Sequence, residues 1–93
     1  MKAEELAEIA IEKEAELSNH DLAVRQANKV DGLEITDEGE VESLSGDPEE
    51  VLQDLIESFE EMMGNVAANL IAEEMKNQDV EKSKLPEELT DRY

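Results

Sequence analysis

The spacing of apolar residues predicts two helical segments at the start of the chain. In residues 3–17, small and aliphatic side chains recur every three or four positions, as on one face of an amphipathic helix: Ala3, Leu6, Ala7, Ala10 and Leu17. Ser18-Asn19-His20-Asp21 matches a capping box, which predicts a second segment over about 19–30. The same pattern also allows one kinked helix. Gly32 is expected to end this region, because glycine readily takes the left-handed conformation after a helix.

Residues 33–45 show the alternation of a β-hairpin. Leu33-Glu34-Ile35-Thr36 and Val41-Glu42-Ser43-Leu44 are rich in β-branched residues, and Asp37-Glu38-Gly39 suits a three-residue loop with Gly39 in the left-handed position. This register places Ile35 opposite Val41. Leu44 then falls out of phase with Val41, which indicates either a bulge or an early end of the second strand.

The strongest local signal predicts a long C-terminal helix over about 48–77. Asp47 is a favoured N-cap and Pro48 suits the first helical turn. An apolar seam then advances in heptad steps along the helix, through Leu52, Ile56, Phe59, Met63, Val66 and Leu70. Residues 78–93 are more polar, and we expect a loose tail there, with at most one turn at Pro86-Glu87-Glu88-Leu89.

Two features of this region favour a homodimer. Gly64, Ala68 and Ala72 follow one another at four-residue steps, and such small residues allow a second helix to approach closely. An isolated hairpin also leaves strand edges that a second copy could pair with. The alternative is packing within the chain against residues 3–17. The predicted self-association residues are Leu52, Ile56, Phe59, Met63, Gly64, Val66, Ala68, Leu70 and Ala72.

The expected fold class is therefore α+β, with one helix–hairpin–helix domain over residues 1–77 and a polar tail over 78–93. The 93 residues include two aromatic side chains, Phe59 and Tyr93, so aliphatic residues must fill the core. Cysteine is absent, which excludes disulfides and thiolate zinc sites. The acidic N-terminus does not resemble a signal peptide, and no apolar run is long enough to span a bilayer. We expect a cytoplasmic protein without membrane contact.

The net charge and its distribution along the chain bear most directly on the kind of partner. The net charge is −19, and residues 30–75 contain fifteen Asp or Glu without one Lys or Arg. Such a charge repels phosphates and anionic lipids, so direct binding to nucleic acid or membrane is not expected. A basic protein partner is expected instead. The predicted acidic interaction surface comprises Glu34, Asp37, Glu38, Glu40, Glu42, Glu50, Asp54, Glu57 and Glu61.

Three functions remain open at this stage. The first is a small non-catalytic interaction module that self-associates and presents its acidic surface to a basic protein. The second is an inhibitor that imitates DNA, because Glu50, Asp54, Glu57 and Glu61 form a continuous stripe at helical spacing. The third is a salt-adapted protein that binds a helix through a groove rich in methionine, formed by Met62, Met63 and Met75.

No residue pattern indicates an enzyme, a cofactor or a metal. His20 lies beside Ser18 and Asp21, but all three fall within one turn, where they cannot enclose a substrate. A calcium loop aligned on Gly39 would place Ser45 at the twelfth position, where a bidentate Glu is required. We therefore expect a surface or capping role for His20 and a solvated turn around Gly39. The alternative at this turn is a looser oxygen-ligand site formed by Asp37, Glu38 and Glu40.

Overall fold

Residues 2–93 are described by a computed structural model, in which they form five α-helices and one antiparallel β-hairpin. The α+β class is confirmed. Helix α1 packs against α2, α3, α4 and β2, so it occupies the centre of the fold. The elements are α1 (Ala3–Leu17), α2 (His20–Ala27), β1 (Leu33–Ile35), β2 (Val41–Leu44), α3 (Pro48–Met63), α4 (Asn65–Asn77), a 3-10 turn (Lys82–Lys84) and α5 (Glu87–Thr90).

The N-terminal region forms two helices, α1 and α2, which is the first of the two alternatives that the sequence allows. The predicted cap at Ser18 is wrong by one residue, because Asn19 is the N-cap of α2 and its side chain accepts a hydrogen bond from the Leu22 amide at 2.9 Å. The Ser18 hydroxyl instead donates to the Glu14 carbonyl at 2.9 Å. Ser18 is therefore the C-cap of α1, and the next residue, Asn19, is the N-cap of α2.

The hairpin has the predicted register. Ile35 lies opposite Val41, while Leu33 pairs with Leu44 and the register shifts between these pairs. The shift is a bulge, which confirms the first of the two explanations for the phase of Leu44. Gly39 has a φ of +88°, as its predicted place in the turn requires. Leu33 and Ile35 are buried, so one face of β1 adds to the core.

The long helix over 48–77 is wrong. Its predicted start is confirmed, since the Asp47 side chain accepts from the Glu49 amide at 3.0 Å and Pro48 begins α3. The helix ends at Gly64, whose φ of 75° and ψ of −165° lie in a region that is essentially restricted to glycine. The chain turns there, and α4 packs back against α3. A β-carbon at Gly64 would meet no atom within 4 Å, so this glycine serves the turn and not a close helix contact.

This turn brings most of the predicted self-association seam into the core of a single chain. Leu52, Ile56, Phe59, Ala68 and Ala72 are all at most 4% exposed. Met63 and Leu70 are half-buried, whereas Gly64 and Val66 are exposed. The seam does not form one continuous surface, because its residues lie on two helices, α3 and α4, that pack against each other. Most of its apolar side chains are therefore buried within one chain. The dimer expected from this seam has no support in the fold.

Residues 78–93 also differ from expectation, because they fold onto the core. Val80, Leu85 and Leu89 are 1–7% exposed, and α5 packs against both α3 and α4. The Tyr93 hydroxyl donates to the Val80 carbonyl at 2.7 Å, which closes the segment on itself. Burial of the three apolar side chains contributes roughly 1.5–3 kcal/mol each. The segment is therefore part of the fold, although its composition is polar.

Candidate functional site

The outer face of α3 carries an exposed row of carboxylates. Four predicted residues, Glu50, Asp54, Glu57 and Glu61, lie here at successive steps of four, three and four residues, and all are exposed. Their position follows from the helical period, because the opposite face of α3 is buried. That buried face consists of Val51, Leu52, Leu55, Ile56 and Phe59.

Neighbouring elements extend this row on both sides. An open groove along one side of α3 is lined by α3 carboxylates, by Asp47 and Glu49 at the helix start and by Glu87 of α5. A second groove lies between α3 and the end of α2, where Asp31 and Lys29 join Asp54, Glu57 and Glu61. We define the acidic face as Asp31, Glu50, Asp54, Glu57, Glu61 and Glu87. Asp31 and Glu87 were not in the predicted surface, since only the fold brings them beside α3.

The cations of the chain do not neutralise this face. Within residues 2–93, the ion pairs are those of Lys13 with Glu16 and Glu74, both at 3.9 Å, and those of Arg92, described below. Lys29 borders the second groove but forms no ion pair within 4.0 Å. All six residues of the acidic face are exposed to solvent. None of the six carboxylates of the face therefore has an ion-pair partner among residues 2–93.

The other five predicted carboxylates lie on the hairpin, separate from the α3 row. All five, Glu34, Asp37, Glu38, Glu40 and Glu42, are exposed. Glu38 and Glu40 border a depression that also contains Glu8 and Glu12 of α1 and His20 of α2. The Glu34 carboxylate accepts from the Ser43 hydroxyl across the hairpin at 3.4 Å. The acidic stretch of the sequence thus divides into two regions, one on α3 and one on the hairpin.

His20 has a structural partner. Its Nε2 atom is hydrogen-bonded to the backbone carbonyl of Asp37, which ties the start of α2 to the hairpin loop. A β-carbon at Gly39 would lie 3.3 Å from the His20 ring, so the loop packs closely on the histidine. Among residues 2–93, no three His, Asp or Glu side chains are arranged to hold a metal ion.

Arg92 contacts three helices, α3, α4 and α5. Its guanidinium lies 3.4 Å from Glu60 Oε2 on α3 and 3.6 Å from Glu88 Oε2 on α5, and its Nε donates to Asn69 Oδ1 on α4 at 2.7 Å. Burial, followed by a hydrogen bond with Glu88 and repulsion from it, raises the pKa of Glu60 to about 7, although Arg92 opposes this rise. Sequence reasoning missed this cluster because it assigned residues 78–93 to a tail.

Glu14 is a buried acid without a partner. It is 0% exposed, and neither carboxylate oxygen has a hydrogen-bond donor. Burial raises the pKa of Glu14 from 4.5 to about 7. The sequence offered a signal for this residue, because position 14 continues the apolar spacing of Ala7 and Ala10 on α1.

The methionines do not form one open groove. Met75 is 1% exposed and belongs to the core, whereas Met62 and Met63 are half-buried. Val66, at 46% exposure, lies just after the turn between α3 and α4. The predicted groove over Met62, Met63 and Met75 is therefore interrupted by the burial of its last member.

Comparisons with protein-family models, curated proteins and solved structures find no match to this chain. Within residues 2–93, none of the helices combines the length and the apolar character that crossing a bilayer requires. The function is therefore argued from the geometry and charge of the acidic face.

Proposed function

We propose that this protein is a small, non-catalytic interaction module that binds a basic protein segment along its acidic face. The observation that supports this proposal is the set of six exposed carboxylates along α3 and its flanks, none of which has an internal cation partner. A folded surface normally mixes both signs of charge, because unbalanced like charges destabilise the compact state. A cationic partner would offset that cost on binding.

The shape of the site favours an elongated partner. From Glu50 to Glu61 the row extends about 16 Å along the helix at a rise of ~1.5 Å per residue. The two grooves beside α3 are open to solvent rather than enclosed. A lysine-rich or arginine-rich helix or extended segment could place several cations along this row. An open surface of this kind suits protein recognition better than small-molecule turnover.

The partner cations would be recognised by charge and spacing. An exposed ion pair contributes roughly 0.2–1 kcal/mol, so the row gains affinity only when several pairs form together. Binding of this kind weakens as salt rises, because the Debye length falls from about 10 Å at 0.1 M to about 3 Å at 1 M. Association through an apolar surface would depend far less on salt.

A charge-matched pair of variants tests the proposal. Asp54→Asn, Glu57→Gln and Glu61→Gln together remove three charges from the acidic face. Glu4→Gln, Glu12→Gln and Glu73→Gln remove three exposed charges from α1 and α4. The probe is a lysine-rich model peptide, measured by calorimetry at low and high salt.

We expect the acidic-face variant to bind the peptide about tenfold more weakly than wild type, which corresponds to about 1.4 kcal/mol. The control variant should stay within about twofold of wild type, because its charges lie away from the row. Equal losses in both variants would show that only net charge matters, and the proposal would then fail. Unchanged circular dichroism in both variants excludes unfolding as the cause.

DNA mimicry is the second candidate, and charge density is the observation that bears on it. Four carboxylates over about 16 Å give one charge per about 4–5 Å, whereas B-form DNA carries one per ~1.7 Å. Asp31, Asp47, Glu49 and Glu87 lie beside the row and raise its density towards that of DNA. A DNA duplex added to a captured basic partner should displace this protein if mimicry is its function. Retention of the complex in excess duplex would argue for the simpler module.

A further inference from the structure

The outer edge of strand β1 is closed by hydrogen bonds from outside the hairpin. The Ile35 amide donates to Asn28 Oδ1 at 2.8 Å, and Asn28 Nδ2 donates back to the Ile35 carbonyl at 3.4 Å. The Leu33 amide donates to the Val30 carbonyl at 3.1 Å. The Asn28 side chain thus occupies both backbone groups that a neighbouring strand would use at Ile35.

The other strand has a similar contact. The Val41 amide donates to Glu8 Oε2 of α1 at 2.9 Å. Helix α1 packs along β2, so this carboxylate comes from an element that already covers the strand. Ile35 and Val41 are directly paired. At this level of the hairpin Asn28 therefore binds both outward backbone groups of Ile35, and Glu8 binds the outward amide of Val41 from the other side.

We infer that Asn28 and Glu8 block the hairpin edges and so prevent a strand of a second copy of this chain from pairing there. Open strand edges are templates for further pairing, and proteins protect them with covering elements or charged residues. In this fold the Glu8 carboxylate of α1 and the side chain of Asn28, the residue after α2, make hydrogen bonds that the backbone of a neighbouring strand would otherwise make. This inference is independent of the acidic face.

The experiment separates blocking from simple charge repulsion. The open variant is Glu8→Ala with Asn28→Ala, which removes both blocking side chains. Glu8→Gln removes the same charge but keeps an oxygen that can accept from Val41. Glu12→Ala removes an exposed charge one turn further along α1. Sedimentation over a wide range of protein concentration gives the mass, in salt of about 0.5 M so that repulsion between copies is screened.

We expect the mass of the open variant to rise with concentration, with self-association at least about tenfold tighter than in wild type, a change of about 1.4 kcal/mol. Glu8→Gln and Glu12→Ala should match wild type. The inference is overturned if the open variant is folded by circular dichroism and keeps the wild-type mass throughout, or if Glu8→Gln associates as strongly as the open variant. If the open variant does not fold, the sedimentation mass of the single variant Asn28→Ala is measured instead. A mass that rises with concentration supports the inference, and the wild-type mass throughout overturns it.

Discussion

The buried Glu14 should make this protein less stable as the pH rises. Its carboxylate has no hydrogen-bond donor, and burial raises its pKa from 4.5 to about 7. The folded state therefore binds a proton that the unfolded state releases at lower pH. The sign follows from linkage: the stability contributed by protonated Glu14 is fully present below pH 4.5 and is lost as the pH rises through about 7.

The size of this effect can be worked out from the two pKa values. Relative to strongly acid pH, ionisation linked to Glu14 lowers the free energy of unfolding by roughly 1 kcal/mol at about pH 5.5 and by roughly 3 kcal/mol at about pH 8. The difference of about 2 kcal/mol is large for a domain whose total stability is typically ~5–15 kcal/mol. Glu14→Gln should remove it, because glutamine has the shape of the protonated acid and does not ionise.

Urea unfolding of wild type, Glu14→Gln and Glu12→Gln at both pH values tests this reasoning. The control Glu12→Gln removes one exposed negative charge from the same helix. We expect the advantage of Glu14→Gln over wild type to grow by about 2 kcal/mol from about pH 5.5 to about pH 8, a midpoint shift of roughly 1 M urea. Glu12→Gln should follow wild type closely. If Glu14→Gln and Glu12→Gln show the same pH dependence, Glu14 is not a buried, unpartnered acid.

Two further predictions concern the C-terminal segment. Arg92→Gln should lower the thermal unfolding midpoint by more than the charge-matched, exposed Lys84→Gln, with a loss of roughly 1–3 kcal/mol in the free energy of unfolding. This loss should be greater at about pH 8, because Glu60 is then ionised without its partner. Equal losses for the two variants in thermal melts would contradict the role of Arg92. Ending the chain after Asn77 should abolish cooperative unfolding, because it removes three buried apolar side chains worth roughly 1.5–3 kcal/mol each. A truncated chain that still melts cooperatively near the wild-type temperature would show that residues 78–93 are dispensable.

Elements with local signals were the ones that the sequence predicted well. The start of α3 follows from Asp47 and Pro48, whose effects lie within one helical turn. The register of Ile35 opposite Val41 follows from the loop length and from Gly39. The four carboxylates on α3 were also correctly placed on one face, because helical spacing alone determines which residues lie together.

The predictions failed where contacts between residues distant in sequence determine which of two locally possible structures forms. A continuous helix and a pair of helices joined at Gly64 have the same apolar spacing, and a glycine inside a helix costs only ~1 kcal/mol. Burial of Phe59 and Ala68 within one chain adds to this small local penalty, and together they favour the pair of helices. For the same reason, the sequence did not predict that Glu87 and Arg92 lie beside α3, because only folding brings residues 78–93 to that helix. Asn28 was also missed as a partner of Ile35, since seven residues separate a side chain from the strand that it covers.

The turn at Gly64 also sets the overall dimensions of the molecule and keeps the core within one chain. With ordinary helical dihedrals at this residue, α3 and α4 would form one rod of about 45 Å at a rise of ~1.5 Å per residue, whereas the whole molecule extends 29 Å in its longest direction. The α4 half would then project beyond the globule with its buried surface uncovered. The conformation of this one glycine therefore allows a single chain to cover its own apolar surface.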